Sequence, residues 1–273
     1  YKSNMRIRIL TVMLLTLSIT GCSLYFGRKN SLKDNSNNIN REIINNYSKA
    51  ISRDPNNFSF YLERGRAKHE YGDFEGAIKD FNYSFKINPD LRIIFYKANS
   101  KYRHGDFKGA IKDYEKLKFS EESKDQIFYN IASAQLMIFD YQNSIKNYTK
   151  SIKYDNRDEY AFLYRGNAKF KIKNYESSLT DYTESLKINQ RSYVAFNNRG
   201  VSNFKLKNYK SALEDFKKSL KINPRNYSTL YNKSLTHFEL KENKKACINL
   251  KKSIKLGKEV FRDEYLKICP SIY

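Results

Sequence analysis

Three histidines and three cysteines are the residues of this 273-residue chain best equipped for chemistry. His69, His104 and His237 stand at no metal-ligand spacing from one another or from a cysteine, whereas zinc sites draw on ligands grouped a few residues apart. Serines and acids are plentiful, yet there is neither a Gly-x-Ser-x-Gly elbow nor a glycine-rich loop to cradle phosphate. Asp73 and Glu75, an acid pair of the kind used in proton transfer, open an amphipathic stretch, where Asp caps a helix and Glu complements its dipole. The sequence therefore offers no catalytic residue, no metal site and no cofactor, and points away from an enzyme with a small-molecule substrate. Cys22 stands apart from the other two cysteines: it directly follows Gly21 at the end of an apolar run.

The elements behind these residues are set by a stride. Ala110, Ser144, Ser178, Ala212 and Ala246 stand 34 residues apart, and Ala77 lies 33 before Ala110. A period of this size predicts a stack of helical hairpins, not a domain with one central core. Twelve positions before each is another small residue, Gly65, Ala98, Ala132, Gly166, Gly200 or Ser234. Three before is an aromatic ring, Phe74, Phe107, Tyr141, Tyr175 or Tyr209, until Asn243 breaks the column. Four after comes Phe81, Tyr114, Tyr148, Tyr182, Phe216 or Leu250. Small side chains let two helices approach closely while large rings fill the flanking space. Gly72-Asp73, Gly105-Asp106, Lys173-Asn174 and Lys207-Asn208 mark the turns inside hairpins, and Asn88-Pro89 and Asn223-Pro224 end them.

These columns resemble the tetratricopeptide repeat, with Gly65, Gly72, Phe74, Ala77, Phe81 and Pro89 matching its motif in one unit. The resemblance runs from about 39 to 256 and implies an all-α, right-handed superhelical solenoid of helix-turn-helix repeats, an α-α superhelix. It divides the chain into an N-terminal half repeat at 39–57, six units over 58–256, and a capping helix and tail at 257–273. The family binds protein segments in a groove lined by its first helices. Carried onto this sequence, that groove contains Asn99, Tyr102, Tyr129, Asn167, Phe170 and Asn197. The family's clamp for a terminal carboxylate is not expected, since Phe95 and Leu163 replace the lysine it needs. A capping helix folding back from Gly257 would bring Cys269 toward Cys247; the two are then either a disulfide or a pair of thiols.

At the front, Lys2, Arg6 and Arg8 precede the apolar run Ile9 to Ile19. A basic start, a short apolar stretch and a small-residue cleavage site read as a secretory signal, too short to span a bilayer. Ile19-Thr20-Gly21-Cys22 resembles a bacterial lipobox, which implies a signal at 1–21, lipidation of Cys22 with palmitate-type chains, and an extracytoplasmic protein held to the membrane by that lipid. An ordinary signal with an incidental cysteine is the alternative. Residues 22–38, rich in Asn, Ser and Lys, read as a flexible tether. The formal net charge of +22 is compatible with an acidic partner, and a soluble basic solenoid bound to nucleic acid is the competing reading if the signal is spurious. With the signal taken at face value, a protein partner is expected and nucleic acid is not.

Overall fold

A computed structural model describes residues 33–118, 123–257 and 269. Among them are thirteen helices and no strand. The signal segment 1–21, Cys22 and the expected helix at 258–268 lie outside the described residues.

The chain divides into two compact units between Asn156 and Arg157. The first holds α1 (Lys33–Arg53), α2 (Phe58–Tyr71), α3 (Phe74–Ile87), α4 (Leu91–His104), α5 (Phe107–Glu115), α6 (Lys124–Met137) and α7 (Tyr141–Tyr154). The second holds α8 (Glu159–Lys171), α9 (Tyr175–Ile188), α10 (Tyr193–Lys205), α11 (Tyr209–Ile222), α12 (Tyr227–Glu239) and α13 (Asn243–Lys255). In each unit consecutive helices pack as antiparallel hairpins, so the expected all-α solenoid of repeated helix pairs is what the chain forms.

Local chemistry explains the ends of these helices. The side chains of Asp73, Asp106, Asp140 and Asn174 each accept the backbone N–H three residues on, capping a second helix. Asn57, Asp90, Asp158, Ser192 and Asn226 do the same service for first helices. The residue before each second-helix cap is left-handed: Gly72 and Gly105 take φ of 98° and 93°, and the same position is filled by Phe139, Lys173, Lys207 and Lys241 at 60–64°.

The striding residues are the floor of the packing. Ala77, Ala110, Ser144, Ser178, Ala212 and Ala246 have no exposed surface. Gly65, Gly166 and Gly200 face the rings of Phe81, Tyr182 and Phe216 so closely that a Cβ would fall within 2.8 Å of a ring carbon. That close approach is why the column admits only small residues.

Two departures from the expected layout have physical causes. Helix α1 begins at Lys33, so the last residues of the stretch read as a tether are helical; extending an existing helix needs no new nucleus, and Asn and Ser are only mildly unfavourable there. The helix meets α2 through the rings of Tyr47 and Phe60, 6.1 Å apart. Arg64 of α2 donates to Ser48 of α1 at 3.1 Å as Arg199 of α10 donates to Thr183 of α9 at 3.2 Å. Helix α1 thus stands to α2 as a second helix stands to the next repeat. The other departure is α5, nine residues long against fourteen for α3. Its last turn tightens, with N–H groups of Lys116 and Leu117 donating three residues back, which buries Leu117 among Ile94, Ile127 and Ile131.

Candidate functional site

Three polar columns run through the hairpins. The first joins the ninth position of a first helix to the ring fifteen residues on. Asn99 accepts from the Tyr114 hydroxyl at 2.5 Å, Asn167 accepts from that of Tyr182 at 2.9 Å, and Ser133 shares a hydrogen bond with that of Tyr148 at 2.8 Å. Where the ninth residue is Arg66, Val201 or Leu235, the ring position carries Phe81, Phe216 or Leu250. The tyrosines are fully buried, and burial pushes the Tyr114 and Tyr182 hydroxyls well above their ordinary pKa. They stay protonated and donate, and at this ring position tyrosine stands opposite Asn99, Ser133 and Asn167, each of which can accept.

The second column is a row of buried aspartates. Asp80 takes two bonds from Arg64, at 2.8 and 2.7 Å, and an ion pair with Lys68 at 2.8 Å. Asp181 is gripped in the same way by Arg165 and Lys169, and Asp215 by Arg199 and Asn203. Asp113 is held by Lys101 and Lys116, with Lys97 at 3.6 Å. In the α6–α7 hairpin the column carries no charge: Asn147 donates to Gln135 at 2.9 Å, and Ile131 holds the place of the first cation.

The third is a ladder of amides in the second unit. Asn198 donates to Asn167 at 2.9 Å, Asn197 donates to Asn198 at 3.1 Å, and Asn197 in turn accepts from Thr229 and Asn232 at 3.0 and 3.1 Å. It links the first helices α8, α10 and α12.

The expected groove residues fall as follows. In the first unit, half-buried Asn99 is locked by Tyr114, Tyr102 packs edge-on to Phe107 at 5.3 Å, and Tyr129 packs edge-on to Tyr148 at 5.5 Å. In the second unit the ladder brings Asn167 and Asn197 together through Asn198. Phe170 is corrected to a core residue: it is 4% exposed and packs with Val201, Ala212 and Phe216. Its ring also lies 5.1 Å from that of Tyr175, which opens the second helix. Sequence reasoning missed Asn198 and Asn232, which lie one position beyond the groove register. The signal that could have found them is the Asn pair at 197 and 198 recurring in part at 232.

Cys247 and Cys269 are joined by a disulfide, their Cα atoms 5.8 Å apart, within a cluster with Tyr231, Leu235 and Leu250. Among the described residues, no group of three or more His, Cys, Asp or Glu could hold a metal ion, and no helix is long and apolar enough to cross a membrane.

The fold is the all-α helical-hairpin solenoid seen in tetratricopeptide-repeat structures. Residues 193–226 match the tetratricopeptide-repeat family model. No curated protein matches the chain in sequence. Among solved structures, the C-terminal part of a TPR repeat-containing protein from Cytophaga hutchinsonii superposes with a TM-score of 0.69 at 16% identity, over 87% of this chain and 96% of that one. A tetratricopeptide repeat protein from Parabacteroides merdae gives 0.60 at 15% identity, over 86% and 98%. YrrB, described as a TPR protein with an unusual peptide-binding site, gives 0.58 at 16% identity, over 68% and 97%. The repeat match and these shared folds support the tetratricopeptide-repeat family for the chain.

Proposed function

We propose that this chain is a non-catalytic scaffold that receives a protein segment on its first-helix faces, through Asn99, Tyr102 and Tyr129 in one unit and Asn167 and Asn197 in the other. The observation that carries this reading is the fixed orientation of the amides. The Tyr114 and Tyr182 hydroxyls engage the carbonyl oxygens of Asn99 and Asn167, which leaves the Nδ2 groups as the ends of these amides that can donate to a ligand. Preset donors beside aromatic rings suit a peptide backbone, because little ordering entropy is lost on binding. Tetratricopeptide-repeat proteins are in general protein-interaction scaffolds, and the YrrB structure is described as having a peptide-binding site. The test is a photocrosslinking residue placed at Tyr102 or Tyr129 in cells: a discrete adduct that Asn99→Ala weakens supports the groove. Crosslinks formed from the lysine-rich second helices, with none from these positions, would overturn it.

The same reading includes lipidation of Cys22 and attachment to a bacterial membrane with the repeats outside the cytoplasm. It rests on the Ile19-Thr20-Gly21-Cys22 pattern behind a basic, apolar leader. Membranes from cells fed labelled fatty acid are expected to contain labelled wild-type protein and unlabelled Cys22→Ala. An unlabelled, cytosolic wild type would sink the anchor. The net charge of +22 favours one competitor, a soluble solenoid on nucleic acid. That reading requires binding to duplex DNA or RNA that collapses steeply between low and physiological salt.

A further inference from the structure

The last hairpin keeps the cation of the second polar column and lacks its acid. Lys233 stands in register with Arg64, Lys97, Arg165 and Arg199, whereas Asn249 stands in register with Asp80, Asp113, Asp181 and Asp215. In the α6–α7 hairpin the loss of the acid is matched by loss of the cation, since Ile131 sits at that position. In α12–α13 it is not. His237, in the third place of the column, is engaged by Glu242 at 2.6 Å, and Glu242 also pairs with Lys245 at 2.9 Å. Among the described residues no carboxylate pairs with Lys233.

Lys233 also faces other cations. It is half-buried, and burial together with the charges of Lys252 and Lys217 lowers its pKa. A cavity of about 400 Å³ opens here, with Lys217, Lys233, Lys245 and Asn249 among its polar walls and Leu213 and Ile248 among its apolar ones. Glu214 is an acid among its lining residues and is outnumbered by the lysines. Asn249 is itself tied down, donating to the Lys245 carbonyl at 2.8 Å.

We propose that this pocket binds the side-chain carboxylate of an aspartate or glutamate in an acidic protein segment, which supplies from outside the group that Asp215 supplies from within one repeat earlier. The same backbone frame already shapes four cation sites around a carboxylate. Leu213 and Ile248 give the aliphatic stem of such a residue an apolar wall, which a bare anion would not use. The pocket is built from the second helices α11 and α13 together with Lys233 and His237 of the first helix α12, and none of the ladder residues Asn167, Asn197, Asn198 and Asn232 lines it.

The experiment uses the full chain, purified in detergent, and a fluorescein-labelled peptide of alternating glutamate and leucine, read by anisotropy. Lys233→Met is expected to weaken binding about tenfold, the scale of losing one charge-assisted contact. Asn249→Asp, which restores the aspartate of the column and closes Lys233 onto it, should weaken binding as much while raising the melting temperature. It thereby guards against mistaking unfolding for loss of the site. Lys210→Met, the same charge change on an exposed residue of α11, should leave affinity within about twofold. Equal losses at Lys210 and Lys233 would reduce the site to general surface charge and overturn the proposal. So would a glutamine-for-glutamate peptide that binds as well, or inorganic phosphate that displaces the peptide at concentrations where acetate does not.

Discussion

The Oδ1 atom of Asn99 lies 2.5 Å from the hydroxyl of Tyr114, so a residue on the first-helix face is also a component of the core. The two roles are chemically compatible because an amide has two ends, one accepting and one donating. Asn99→Ala should cost about 1–3 kcal/mol, since it strands a buried hydroxyl without an acceptor. Tyr114→Phe in the same chain should recover most of that loss, because Phe81 and Phe216 already occupy equivalent places opposite residues that accept nothing. Urea denaturation of the two single variants and the double closes the cycle. Additive losses would mean that the pair is not coupled.

Asp215 is 5% exposed at its side chain and is clamped by Arg199 at 2.7 Å. Asp215→Ala leaves a largely buried guanidinium uncompensated, and a loss of about 3–5 kcal/mol is expected. Arg199→Met together with Asp215→Leu should be much milder, since it removes both charges. Thermal melts of the two variants decide it: a double variant as damaged as the single would show that packing, not the lost pairing, sets the cost.

Lys207 holds a left-handed φ of 64° at the place where earlier hairpins have Gly72 and Gly105. Lys207→Gly should raise stability by about 0.5–1 kcal/mol, relief of the Cβ strain outweighing the added freedom of the unfolded chain. Gly72→Lys should lower it by a similar amount. The measurement is the urea midpoint, and a destabilising Lys207→Gly would mean that the lysine side chain makes a contact worth more than the strain.

His69 carries a pH dependence. The Ser100 hydroxyl donates to the Tyr96 carbonyl at 3.0 Å and accepts from Nδ1 of His69 at 2.8 Å. Burial lowers the His69 pKa from its ordinary 6.5, with Glu70 opposing and Arg103 reinforcing. As pH falls the unfolded chain takes up a proton before the folded one does. The stability from this group is therefore complete above the ordinary imidazole value and drains away below it. Between about pH 7.5 and 5.5 the wild type should lose more melting temperature than His69→Gln. Equal losses would move the sensitivity elsewhere.

The fold was readable because each position of the stride does one job. Ala77 to Ala246 are small where helices touch, and the caps at Asp73 and Asn174 announce the turns, so periodicity translates directly into hairpins. The face residues were harder because position alone does not say which way a side chain commits. Asn99 and Asn167 occupy groove register, yet their bonding is decided fifteen residues away. A readable sign of it existed: tyrosine at 114, 148 and 182 follows Asn, Ser and Asn, whereas phenylalanine at 81 and 216 follows Arg and Val. Phe170 misled for the opposite reason, since its register points to the groove while its ring packs among Val201, Ala212 and Phe216 in the core. The start of α1 at Lys33 was hidden because its first turns carry polar residues that read equally well as coil.

The pairing of the ninth residue with the ring fifteen places on also sets the unit of inheritance. A recombination event that joins the first helix of one hairpin to the second helix of another can place Val201 opposite a tyrosine, or Asn167 opposite a phenylalanine, and so orphan a polar group inside the protein. An event that cuts between hairpins carries both members together. As far as this pairing is concerned, duplication, loss and shuffling are penalised within a hairpin and spared at its boundaries, where the bonds to be matched are those of the amide ladder and of Arg199 to Thr183.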